Sequence, residues 1–167
     1  MKKESISTRL KQLMSECDLR QVDILKKAQP YCKKYNINLG RNDISQYISG
    51  RVEPSQQKLS LLAEALNVSE IWLMGYDVPR NEENMEMDAN NEKQKRISFD
   101  HSALEGKIKQ YYDTQDNLAN DIPMSRSSLN QRLNNNLSFN TQDIYKICTL
   151  LHIPIEEIGT YFFTLKV

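Results

Sequence analysis

The stretch "RNDISQYISG", residues 41–50, sets Arg41, Asn42, Ser45 and Gln46 at positions i, i+1, i+4 and i+5. On a helix these four share one side, while Ile44, Tyr47 and Ile48 share the other. A guanidinium can donate to guanine O6 and N7, and a carboxamide can pair with adenine N6 and N7. The face therefore has the chemistry to read a DNA major groove, although a merely solvated helix face has the same composition. Farther on, "RSSLNQRLNN" (residues 126–135) repeats the pattern, with Arg126, Ser127, Asn130 and Gln131 at the same four positions.

Few other residues offer chemistry. Cys17, Cys32 and Cys148 are widely spaced, form no CxxC, and stand at no metal-ligand spacing from His101 or His152, so no metal site is expected. Cys148 falls on an apolar helical face and reads as a small core residue. There is no phosphate-binding Gly loop, nucleophile elbow or HExxH. Neither an enzyme nor a cofactor is expected. No apolar run approaches the ~20 residues of a membrane span. The start "MKKESISTRL" lacks the apolar segment of a signal peptide, so a cytoplasmic protein is expected.

The 22 basic and 22 acidic residues cancel, but unevenly. Residues 1–79 hold 12 Lys/Arg and 9 Asp/Glu (+3), residues 80–99 hold 4 and 5 (−1), and residues 100–167 hold 6 and 8 (−2). A polyanionic partner suits the first part better than the last.

The elements that position the two polar faces are themselves written twice. With an offset of 85, Ile44 matches Leu129 and Gln46 matches Gln131. Leu59, Leu62, Ala63 and Leu66 match Ile144, Ile147, Cys148 and Leu151, one i, i+3, i+4, i+7 helical face in each copy. Val68 matches Ile153, and Leu73 matches Ile158. Before the polar helix the offset is 94: Leu10 matches Leu104, Gln21 matches Gln115 and Ile24 matches Leu118. The first copy thus carries nine extra residues between its second and third helices, the difference between 94 and 85. The patterning predicts helices near 5–17, 20–34, 41–49, 55–66 and 69–75, then 100–112, 114–121, 125–135, 140–151 and 154–160. Ser55 and Asn140 are the expected N-caps of the fourth helix in each set. The fold class is all-α: two small five-helix helix-turn-helix domains over 1–79 and 100–167, joined by a polar linker over 80–99.

The segment "RQVD…ISQYISGRVEP…LAEALNVSEIWLMGYDVP" resembles the Cro and phage-repressor type of helix-turn-helix domain, over roughly residues 6–79. The resemblance implies that the third helix enters the major groove of double-stranded DNA, with Arg41, Asn42, Ser45 and Gln46 at base-reading positions. It implies a phosphate contact for Gln21 at the start of the second helix, and backbone approach by Arg51 and Lys58. "AQPYCKKYNINLG" replaces the family's tight turn. There Pro30 either kinks a lengthened second helix or starts a separate turn, and Lys33 and Lys34 are either solvated lysines or phosphate contacts.

Residues 99–167 resemble small Cro-like phage proteins. This implies a phosphate-contact position for Gln115 and reading positions for Arg126, Ser127, Asn130 and Gln131, with Arg132 and Asn134 to Asn136 toward the backbone. The expected function is a phage or prophage repressor that occupies its operator and is relieved by a protein antagonist or by simple turnover. The alternative is an antitoxin or adaptor that holds a protein with one of the two units. The tail "TYFFTLKV" concentrates Tyr161, Phe162, Phe163, Leu165 and Val167. Some of these residues are expected to close the second domain's own core; five are many for one small core, so a homodimer held partly by this tail is also expected.

Overall fold

The computed structural model describes residues 4–80 and 97–166. The chain divides into two compact units, Met1–Ile97 and Ser98–Val167. Of the linker expected over 80–99, residues 81–96 lie outside the described residues. Arg80, Ile97 and Phe99, at its two ends, belong to packed structure, with Ile97 and Phe99 buried.

The first unit is built from α1 (Ile6–Glu16), α2 (Gln21–Tyr35), α3 (Arg41–Ser49), α4 (Gln56–Leu66) and α5 (Glu70–Leu73). Its helices begin where a side chain can serve the free N–H groups of a first turn. Ser5 accepts from Thr8 N–H at 3.1 Å, and Ser55 caps α4 as expected, accepting from Lys58 N–H. Leu10, Ile24, Ala28, Ile44, Leu59, Leu62 and Leu73 form the core. Trp72 closes one side, with the Arg9 and Arg80 guanidinium carbons 4.4 and 5.6 Å from its ring.

The second unit holds α6 (Ser102–Tyr112), α7 (Gln115–Asp121), α8 (Arg126–Leu133), α9 (Thr141–Leu150), a 3-10 turn (Ile155–Glu157) and α10 (Ile158–Phe162). Ser125 caps α8, and Asn140 caps α9 by accepting from Asp143 N–H at 2.7 Å. Phe99, Phe139 and Phe162 are fully buried at its centre. The Phe139 and Phe162 rings meet edge-on at 5.6 Å, a geometry that suits the ring quadrupoles.

Both units are built of helices, and the matched positions occupy matched places. Leu10 and Leu104, Ile24 and Leu118, Ile44 and Leu129, and Leu59 and Ile144 are each at most 1% exposed. The backbone repeats too. Gly50 (φ 73°) and Asn135 (φ 60°) are left-handed 85 residues apart, as are Asn67 (φ 53°) and His152 (φ 50°). These are the residues where the third and fourth helices of each unit must stop and turn.

The nine-residue difference resolves mostly as helix. α2 runs 15 residues against 7 for α7, while the following loops, 36–40 and 122–125, are five and four long. Pro30 therefore lies inside a lengthened second helix and does not start a separate turn. Pro30 and Lys26 are both exposed, so the carbonyl that proline leaves without a partner is on the water side.

The tail packs within its own unit. Thr164 O accepts from Asp100 N–H, Lys166 N–H donates to Ser98 O, each at 2.8 Å, and Leu165 forms an antiparallel bridge with Phe99. Phe162 is buried and Phe163 meets the Phe99 ring edge-on at 5.9 Å. One edge of the tail pairs within this unit, with residues 98–100, and Phe162 closes the unit's own core as expected of part of the tail.

Candidate nucleic-acid interface

Arg41, Asn42, Ser45 and Gln46 are all placed on α3, with Arg41, Asn42, Ser45 and Gln46 exposed and Ile44, Tyr47 and Ile48 buried beneath them. Burial pushes the Tyr47 phenol up to about 12, so it stays a neutral packing residue. Gly40 has no side chain to cap α3, and Asp43 compensates by accepting from Gly40 N–H at 2.8 Å. At the other end Gly50 adopts φ 73° and Arg51 N–H returns to Gln46 O at 3.1 Å. Ser7 of α1 donates to Ile48 O at 2.6 Å. The polar face is thus presented by a helix fastened at both ends.

Asp43 also receives the Lys58 ammonium at 3.1 Å. Burial works against its charge, but the Gly40 N–H and Lys58 outweigh this and hold its pKa below the usual carboxylate value. Lys58, expected to approach a DNA backbone, is therefore engaged in tying α3 to α4. Arg51 is exposed and Gln21 half-buried at the first position of α2. Lys34, read from sequence as either a solvated lysine or a phosphate contact, pairs with Glu64 at 3.2 Å, beside the Tyr35 hydroxyl, which donates to Glu64 at 2.7 Å. That clamp joins the C-terminal end of α2 to α4. Its α2 half lies in the segment that replaces the family's tight turn.

In the second unit Arg126, Ser127, Asn130 and Gln131 lie over buried Leu129 and Leu133, with Arg126, Ser127, Asn130 and Gln131 exposed, and Gln115 is half-buried at the start of α7. The four residues expected to read bases have the same layout as in the first unit but are engaged differently. Arg126 meets the Asp116 carboxylate at 3.0 Å; position 116 corresponds to Val22 in the first unit. No acid plays that part for Arg41, which has no ion pair among the described residues. Asn134 donates to the backbone and side-chain oxygens of Asn130, both at 2.9 Å.

Three residues expected to face a DNA backbone serve this unit's own structure instead. Arg132 is held by Ser128 and by Asp143, the latter at 3.4 Å. Asn134 is tied to Asn130 as above. Asn135 accepts from Phe99 N–H at 2.8 Å and donates to Phe99 O at 2.9 Å, fastening α8 to the chain entering α6. The Asp116 contact was not expected from sequence, although the change from Val22 to Asp116 is visible when the two copies are aligned.

Two family profiles match the chain. Residues 36–73 match one described as helix-turn-helix, and residues 97–165 match one described as protein of unknown function (DUF739). No curated protein matches the chain. The helix-turn-helix match begins at Asn36, directly after the lengthened α2, and takes in α3, α4 and α5. The match supports DNA binding by the first unit. The chain thus carries a helix-turn-helix segment in its N-terminal unit and a DUF739 segment over nearly all of its C-terminal unit.

Proposed function

We propose that this protein is a sequence-specific transcriptional regulator of the phage or prophage repressor kind, acting by operator occupancy. The observation that carries the reading is the Arg41, Asn42, Ser45 and Gln46 face: exposed, backed by core residues and fastened at both ends. A helix already fixed in place leaves less to order on binding, which favours discrimination between base pairs. Gln21 and Arg51 then hold phosphates and fix the register. The second unit acts as a weaker reader that adds affinity because it is tethered to the first. Homodimerisation, argued from the tail, would have to use a surface other than this paired edge.

Selection of binding sites from random duplexes, followed by affinity against salt, tests this reading. A preferred site with a steep salt slope is expected. Binding without sequence preference would overturn it.

The Arg126–Asp116 pair favours a second reading for the C-terminal unit: a surface for a protein partner, as in an antitoxin or adaptor. Asp116→Asn in the full chain separates the two. If the unit reads DNA, freeing Arg126 and removing a negative charge should tighten DNA binding and steepen its salt slope. Unchanged DNA binding would favour the partner surface.

A further inference from the structure

The lengthened α2 carries Lys26, Lys27, Lys33 and Lys34, with Asp23 as its one acid. Arg20 engages that acid at 3.0 Å, and Glu64 engages Lys34. This leaves Lys26, Lys27 and Lys33, all exposed and with no ion pair among the described residues. Lys26 and Lys33 are seven apart, so they lie on one helix face with about 10 Å between them along the axis. Lys27 flanks them. The buried residues Ile24, Ala28 and Tyr35 point the opposite way.

The second unit supplies the contrast. α7 reads QDNLAND, with two aspartates and no lysine. The difference in charge between the two units is therefore concentrated at their second helices, and it accompanies the lengthening of one of them. Eight added residues extend a helix by about 12 Å. In helix-turn-helix docking the helix before the reader crosses the sugar-phosphate backbone; Lys26 and Lys27 stand where α7 has Asn120 and Asp121, and Lys33 stands on the added length beyond them. A duplex carries one negative charge per ~1.7 Å of axis, dense enough to meet a ridge of this length with several phosphates.

We infer that Lys26, Lys27 and Lys33 form an auxiliary phosphate-binding ridge for double-stranded DNA, outside the reader helix and without sequence preference. This rests on the first unit binding DNA as proposed above. The ridge places most of the chain's electrostatic attraction on the first unit and lets the second, more acidic unit remain dependent on it.

The test uses the full chain with Lys26, Lys27 and Lys33 all changed to Gln, binding a mixed-sequence duplex and a preferred one over a range of salt. Affinity should fall by the same factor for both duplexes. The slope of log K against log salt should shrink by about 0.9 for each phosphate that is no longer neutralised. A second variant with Lys26→Arg, Lys27→Arg and Lys33→Arg should restore the wild-type slope, which a packing role would not require. If the wild type binds with a steep slope and the Gln variant keeps it, the ridge does not touch DNA and this inference fails alone. A wild type that shows no salt-dependent binding would overturn the proposed function as well.

Discussion

At the scale of single residues, the proposed function separates readers from holders in the first unit. Arg41→Ala and Gln46→Ala should each lose discrimination by roughly 1–3 kcal/mol between the preferred site and single-base variants. Gln21→Ala should instead weaken binding to all sequences in similar proportion. Competition binding against a panel of variant duplexes checks both, and an unchanged site preference in the α3 variants would remove α3 as the reader. His101 gives a separate prediction about stability. It is buried, its Nδ1 lies 3.0 Å from Leu133 O, and burial lowers its pKa despite the nearby Asp100 and Glu105 carboxylates. The unfolded chain therefore binds the extra proton first as pH falls. Stability should be complete above the ordinary histidine value of 6.5 and decline below it toward the lower native value. Thermal melts across that interval should show the decline, and His101→Gln should flatten it.

At the scale of elements, α2 and its fastening to α4 set how α3 is offered. The Tyr35 side chain is buried except for a hydroxyl bonded to the Glu64 carboxylate. Hydrogen bonds to charged groups contribute about 1.5–3 kcal/mol when well formed, and Lys34 remains to serve Glu64. Tyr35→Phe should therefore destabilise the first unit by about 1–2 kcal/mol in urea unfolding. It should also weaken DNA binding more than stability alone explains, since a looser α2 would no longer fix the angle of α3. A loss of stability with intact affinity at low temperature would show that the clamp serves folding only. The second unit has a different fastening, with Asn135 bonded to the Phe99 backbone at the left-handed position where the first unit has Gly50.

At the scale of the whole molecule, one chain offers two exposed polar helix faces with different side chains, Arg41-Asn42-Gln46 and Arg126-Ser127-Gln131, both readers under the proposed function. Successive major-groove faces on one side of a duplex are ~34–36 Å apart. Two non-identical elements within one footprint are the expected result. Footprinting the intact protein beside the Arg126→Ala, Gln131→Ala variant measures this, with a shortened protected region and lower affinity expected for the variant. Equal footprints and equal affinity would leave the second unit as a partner-binding module.

Sequence alone determined the helices, their order, the duplicated plan and the outward direction of both polar faces. Those follow from a 3.6-residue periodicity and from capping residues such as Ser55 and Asn140, both local properties. Even the length of the added segment was visible as a change of offset. The expected helix over 20–34 covers most of what that segment became, with Pro30 leaving a separate turn open; Tyr35 and Glu64 tie that helix to α4 across 29 residues of sequence. Tertiary structure likewise decided which charged residues are available. Lys58, Arg132 and Lys34 looked free in sequence and are engaged by Asp43, Asp143 and Glu64. It also turned part of the aromatic tail inward, with the backbone of residues 98–100 bonded to one edge of it. Helix formation is decided over a few residues, whereas ion pairing and edge pairing are decided by whichever distant group folding brings within reach.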